Sequence, residues 1–160
     1  MRVPTVMTNS IQHVIESRTS VNAFLPDRPL AEGVIESLIS QATKAPSAYN
    51  LQNWRFIAVR SPDAKARLES AAYGQRKIVD ASVAFVICGT LEAYSQLASA
   101  LRPSVDARIM EPRTVDGWVA QATATHEGNP VLQRDEAVRS ASLAAMTLML
   151  AAQGMGLGSC

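Results

Sequence analysis

Ala45-Pro46-Ser47-Ala48-Tyr49-Asn50-Leu51-Gln52-Asn53-Trp54-Arg55-Phe56 separates a helical pattern from a strand pattern. Pro46 fixes its own φ and disfavours a helical Ala45, so a helix arriving here must stop. Ser47, Asn50, Gln52 and Asn53 then offer hydroxyl and amide groups that both donate and accept hydrogen bonds. Trp54, Arg55 and Phe56 lead into the apolar run Ile57-Ala58-Val59. A neutral, bifunctional loop between two packed elements suits a flat ligand whose edge alternates donors and acceptors. The same residues also suit an ordinary polar connection, since Ser and Asn are common in turns. Local chemistry leaves both readings open.

Upstream of this loop, Val34, Ile35, Leu38, Ile39 and Ala42 recur at helical spacing and predict a helix from Leu30 to about Lys44. Leu25-Pro26-Asp27-Arg28-Pro29 precedes it as a connector, because two prolines in four residues cannot continue a helix. Before that, Asn9 or Ser10 can cap a first helix carrying Ile11, Val14 and Ile15 and ending near Ser17.

Downstream, Arg55 to Arg60 reads as a strand. Ser61-Pro62-Asp63 is a helix start with a cap, a proline at the first position and an acid in the first turn; the helix carries Ala66, Leu68 and Ala72 and ends near Gly74. Ser82 to Cys88 is apolar throughout, the pattern of a central strand covered on both faces. A helix is predicted from Leu91 to Leu101, with Pro103 as its stop. The range 104–130 is punctuated by Pro112, Gly117, Gly128 and Pro130 and holds one predicted helix, Val115 to Thr125; it reads as an excursion or lid. The longest helical pattern runs from Arg134 to Gln153, with Ala137, Val138, Ala141, Ala144, Ala145, Leu148 and Ala152 as a small-residue face. Gly154 to Gly158 follows that helix, so it reads as a helix stop and tight turn, since a dinucleotide fingerprint needs a strand before it.

The 160 residues are one domain's worth of chain, and 48% hydrophobic residues suffice for a core. A formal charge of +1, with Lys and Arg scattered, argues against nucleic acid and against electrostatic attachment to a membrane. No apolar run reaches membrane-spanning length and no secretory h-region opens the sequence, so the expected location is cytoplasmic. Cys88 and Cys160, with His13 and His126, make neither a disulfide framework nor a metal ligand set, so no metal is expected. No Ser-His-Asp or Cys-His set stands out.

Three stretches, in order, resemble the FMN-dependent nitroreductase family. The first is Glu16-Ser17-Arg18-Thr19-Ser20-Val21-Asn22-Ala23-Phe24, similar to the family's phosphate-receiving segment. The second is the opening loop, read as Ala-Pro-Ser-x-x-Asn-x-Gln-x-Trp-Arg-Phe. The third is Gln75-Arg76-Lys77-Ile78-Val79-Asp80-Ala81, similar to a short helix at the flavin's pyrimidine edge. The resemblance implies an α/β (α+β) fold: a mixed, mainly antiparallel sheet flanked by helices, in an intertwined homodimer with flavin sites at the interface. It implies FMN as cofactor and NAD(P)H as co-substrate, with hydride passing through flavin N5 to a nitroaromatic or quinone-like acceptor in a ping-pong cycle. The chemistry then belongs to FMN, and no catalytic side chain is required.

Carried over by position, the implied cofactor-binding residues are Arg18, Thr19, Ser20 and Asn22 for the phosphate, Gln75 and Lys77 for the pyrimidine edge, and Pro46, Ser47 and Asn50 across the interface. Gln52 and Arg55 would brace the loop. Thr19 and Asn22 depart from the family, which has basic residues there, so phosphate affinity would be lower or the charge would come from elsewhere. Read without the resemblance, Arg18 is a solvated cation at a helix C-terminus and Lys77 a surface lysine. The resemblance also leads to the expectation that a further strand and a tail follow Gly-Leu-Gly-Ser-Cys. On that reading, residues 1–160 form a single domain lacking them, by truncation or as a reduced family member. Two other functions fit the same residues: a non-catalytic or degenerate flavin-binding dimer module, and a specialised flavin-dependent dehydrogenase.

Overall fold

The computed structural model describes residues 10–160. Its sheet is a pair of antiparallel strands, β1 (Trp54–Val59) and β2 (Ala84–Gly89), in the register Trp54↔Gly89 through Val59↔Ala84. Side chains alternate across a strand, so Trp54 and Phe56 share one face with their cross-strand neighbours Phe85 and Ile87. Helices α2 (Glu32–Ala42) and α7 (Pro130–Gly154) cover that face. Leu38, Ala42, Leu148 and Ala152 pack there with Phe56, Phe85 and Ile87, while Ala45, Trp54 and Ala144 continue the core beneath the opening loop.

β2 and α7 approach closely at Gly89. A Cβ there would lie 2.7 Å from the Ala137 carbonyl oxygen, so only glycine fits. Along α7 the buried residues are Ala137, Ser140, Ala144, Leu148 and Ala152, a stripe of mostly small side chains at helical spacing. Val138, predicted on that face, is instead 54% exposed.

A second core lies on the far side of the opening loop. Leu51, Leu97, Leu101, Val115 and Ala122 are buried together there, between α5 (Leu97–Asp106) and α6 (Pro112–His126). Several boundaries differ from the sequence prediction. Pro103 does not stop α5 but sits inside it. The bond it forfeits belongs to the carbonyl of exposed Ser99, which water can satisfy, while buried Leu97 and Leu101 hold the helix to the core. Before α5, Glu92 is left-handed and a short 3₁₀ turn, Ala93–Gln96, replaces the predicted start at Leu91. Pro112 and Pro130 open α6 and α7 from the first turn, so both helices begin earlier than predicted. Asn129 caps α7, its side-chain oxygen accepting from Leu132 N at 3.1 Å.

The remaining helices are α1 (Ile11–Ser17), α3 (Pro62–Ala71) and α4 (Lys77–Asp80). Ser10 caps α1 by accepting from His13 N, and Ser61 caps α3 by accepting from Ala64 N. Asn9, the other candidate cap, lies outside the described residues. α2 is shorter than predicted at both ends, and its tail unwinds through turns before Pro46. The prediction that Ser82 to Cys88 is covered on both faces is corrected. β2 is only half-buried, because Ala84, Phe85, Val86 and Ile87 line a cleft.

Candidate functional site

That cleft has a volume of about 880 Å³. Its walls are the connector after α1 (Val21, Phe24, Leu25), strand β2, α7 (Leu148, Met149) and the turn Gly156 to Cys160. The walls are mostly apolar, and Lys77 and Arg28 bring positive charge to them.

The turn is placed by the end of α7. Gly156 has φ +74°, and Leu157 N donates to Ala152 O at 2.9 Å, a glycine-terminated helix end. The chain then runs beside the segment after α1. Val21 N donates to Ser159 O at 3.0 Å, and Ser20 and Ser159 form a parallel bridge. Gly158 eases this approach, since a Cβ there would lie 3.1 Å from Val21 Cγ1 and that side chain would have to shift.

Arg18 caps the C-terminus of α1, its backbone N–H donating to Val14 O. Its side chain is half-buried, and Nη1 is fully buried without a hydrogen-bond partner. The Ser159 hydroxyl is buried and unpaired as well. An unpaired buried donor is costly, so two on adjoining segments mark a place where a polar group is wanted. Thr19, Ser20 and Asn22 are exposed on the same segment. Across the cleft, Lys77 Nζ lies 3.2 Å from Cys160 Sγ, and Gln75 is exposed two residues before it. The segment carrying the sequence-predicted Arg18, Thr19, Ser20 and Asn22 therefore meets, at Ser20 and Val21, the same turn that Lys77 contacts at Cys160.

Pro46, Ser47 and Asn50 are not among the residues lining this cleft. Their loop is held in an unusual conformation: Tyr49, Asn50 and Gln52 have φ of 50°, 55° and 48°. Left-handed non-glycine residues cost energy and persist where surroundings over-determine them. Here Leu51 is buried, and Ser47 Oγ accepts from Gln52 N at 2.9 Å. The Tyr49 ring meets Trp118 and His126 edge-on at centroid distances of 6.3 and 6.2 Å. Asn50 is left exposed at the loop's tip. The loop is thus braced by the Ser47 side chain on the Gln52 backbone N–H, while the side chains of Gln52 and Arg55 are both exposed.

His126 is 4% exposed; its Nδ1 lies 2.9 Å from Ala122 O, and its Nε2 has no partner. The Thr125 hydroxyl oxygen lies at the same distance, 2.9 Å, from Nδ1. Tyr49, His126, Ser159 and Cys160 went unnoticed as parts of the two sites in the sequence. Gly156 and Gly158, which permit the close approach, were the available signal for the last two. Among the described residues no three His, Cys, Asp or Glu side chains gather in a way that could hold a metal ion, and no helix is long and apolar enough to cross a membrane.

The family model described as the Nitroreductase family matches residues 15–160. The chain belongs to the nitroreductase family. Among curated relatives of this nitroreductase-family chain, a Bacillus subtilis protein named as an NAD(P)H nitroreductase, YodC, is 36% identical over 161 residues, covering 96% of this chain and 75% of that protein. A solved structure from Exiguobacterium sibiricum, named as a nitroreductase in complex with FMN, superposes with a TM-score of 0.84 at 25% identity, covering 92% of this chain and 71% of that one. One from Staphylococcus epidermidis, named as an NAD(P)H:FMN oxidoreductase, gives a TM-score of 0.85 at 26% identity, covering 92% and 70%. The helix-rich fold with its small antiparallel sheet is thus that of the nitroreductases, as the three sequence stretches implied.

Proposed function

We propose that this chain is an FMN-dependent NAD(P)H oxidoreductase that reduces nitroaromatic or quinone-like acceptors, working as a homodimer. The observation that carries the reading is the buried, unpaired Nη1 of Arg18 beside the Ser20–Ser159 bridge. An anionic phosphate would supply the acceptor that this guanidinium lacks, in a charge-assisted hydrogen bond. Thr19 and Ser20, with the Ser159 hydroxyl on the adjoining segment, add donors, and Asn22 an amide. FMN, when bound, supplies the hydride chemistry, accepting hydride from NAD(P)H and handing it to the electron-poor acceptor in alternate half-cycles. Lys77 and Gln75 would hold the pyrimidine edge, and the Lys77 charge would favour the reduced cofactor, which is the more negative form. The residues present fit that group, and the chain need supply no acid, base or nucleophile. The range 104–130, whose α6 abuts the Tyr49 loop, would act as the lid over the acceptor. Such an enzyme works where NAD(P)H is supplied, which argues for the cytoplasm.

Two observations support the dimer. The long helix α7 buries one stripe against the sheet yet also carries Val131, Val138, Leu143 and Met146 on its exposed surface, and α1 beside it exposes Ile11 and Ile15. A helix with apolar residues beyond its core-facing stripe expects a second partner. In addition, Ser47 and Asn50 line no part of the cleft that holds Lys77, as expected if they serve the partner's flavin. Mixing refolded Arg18→Met and Asn50→Ala chains tests the shared site. Heterodimers would have one intact site and one doubly damaged site, so FMN binding should rise above the average of the two parents. Binding equal to that average would refute the shared site.

A further inference from the structure

We infer that Lys65 is a positioning residue for the flavin's reduction potential, acting through α4 and Lys77. The inference rests on the proposed placement of Lys77 at the flavin. α4 is a helix of only four residues, Lys77–Asp80. A single turn sustains itself poorly, because nucleating it fixes many dihedrals for only a few hydrogen bonds; here Ile78 N and Val79 N also donate, to Gln75 O and Arg76 O. Within the turn, Asp80 N reaches Arg76 O at 3.2 Å and Ala81 N reaches Lys77 O at 3.0 Å. The Arg76–Asp80 ion pair spans it on the exposed side, where such pairs contribute little.

What fixes α4 is a side chain from α3. Lys65 Nζ donates to Val79 O at 2.7 Å and to Ala81 O at 2.8 Å. These carbonyls end the turn and begin the run into β2, and a helix leaves such carbonyls without intrahelical partners. A cation bonding both at a partly buried position makes charge-assisted bonds and also complements the negative end of the turn. The Ser82 hydroxyl donates to Arg28 O just beyond, so the exit from α4 is held from a second direction. Lys65 lies twelve residues before Lys77 and is not among the residues lining the cleft. Its reach to the cofactor therefore goes through the turn it locks. Without it α4 frays, the Lys77 ammonium is held only through its contact with Cys160 Sγ, and its field at the flavin weakens.

The test compares Lys65→Met, Lys65→Arg, Lys77→Met and the Lys65→Met/Lys77→Met double variant. Dissociation constants for oxidised and for dithionite-reduced FMN are measured by anaerobic ultrafiltration. Their ratio is the shift in midpoint potential, whereas general loosening weakens both forms alike. Lys65→Met should lose on the order of tenfold in preference for reduced FMN, a fall of about 30 mV for a two-electron couple. Lys65→Arg, which keeps the donors, should restore most of it, and Lys65→Met should add nothing in the Lys77→Met background. Amide exchange at Asp80 and Ala81 in the FMN-free protein should accelerate in Lys65→Met. If that variant does not fold, Lys65→Gln, which removes the charge and shortens the reach of the donors, replaces it. A Lys65→Met ratio equal to wild type, beside a shifted Lys77→Met, would overturn the inference. So would full additivity in the double variant. An unshifted Lys77→Met would instead refute the placement of Lys77, and this inference with it.

Discussion

Arg18→Met should move stability and cofactor affinity in opposite directions. In the FMN-free protein, Nη1 is buried without a partner while the rest of the side chain is only half-buried. Leaving a buried donor unsatisfied costs about 1–3 kcal/mol, and the partial exposure of this side chain places it at the low end, about 1 kcal/mol. Methionine keeps most of the apolar stem and removes the orphan. The FMN-free variant should therefore melt higher, by about 2–4 °C for a domain near this size. FMN binding should suffer, because the phosphate loses a hydrogen bond to a charged group, about 1.5–3 kcal/mol, or roughly tenfold to a hundredfold in Kd. Ligand binding adds stability in proportion to occupancy, so the order of the two melting curves should reverse as FMN is raised. Thermal unfolding with and without FMN, together with a fluorimetric FMN titration, checks both signs. A variant that melts lower without FMN and binds it as tightly as wild type would refute the argument.

Two further variants test the scaffold. Gly89→Ala puts a methyl group 2.7 Å from a carbonyl of α7, a clash with backbone that cannot rotate away; overpacking of this kind costs about 1–3 kcal/mol, read as a lower denaturation midpoint. Leu38→Ala removes a fully buried side chain between α2, α7 and the sheet and should cost about 2–5 kcal/mol by urea unfolding, against little change for Glu32→Gln in the exposed pair with Arg60.

The parts legible in the sequence are those governed by local rules. Ser61-Pro62-Asp63 announced α3, and Pro46 marked the end of the preceding helix, because caps and prolines act on their immediate neighbours. The same residue type misled where its effect depends on place. Pro112 and Pro130 read as breaks but open helices, and Pro103 lies inside one because only an exposed carbonyl loses its partner. The left-handed run through Tyr49, Asn50 and Gln52 has no glycine to announce it; aromatic contacts from α6 hold it, seventy residues on. Arg18 and Lys77 were singled out by resemblance, not by periodicity, and stand as proposed site residues. Their structural neighbours Ser159, Cys160 and Lys65 were not found, since each contact joins residues distant in the chain or on different elements.

The most direct test of the proposed function is anaerobic mixing of the FMN-loaded protein with NADH or NADPH, followed through the flavin's visible absorption. One of the two nucleotides should bleach the bound flavin, and adding a nitroaromatic or a quinone should restore the colour in a separate phase, as two half-reactions at one site require. Protein that holds FMN yet keeps its colour with both nucleotides would contradict the oxidoreductase and leave a flavin-binding module in its place.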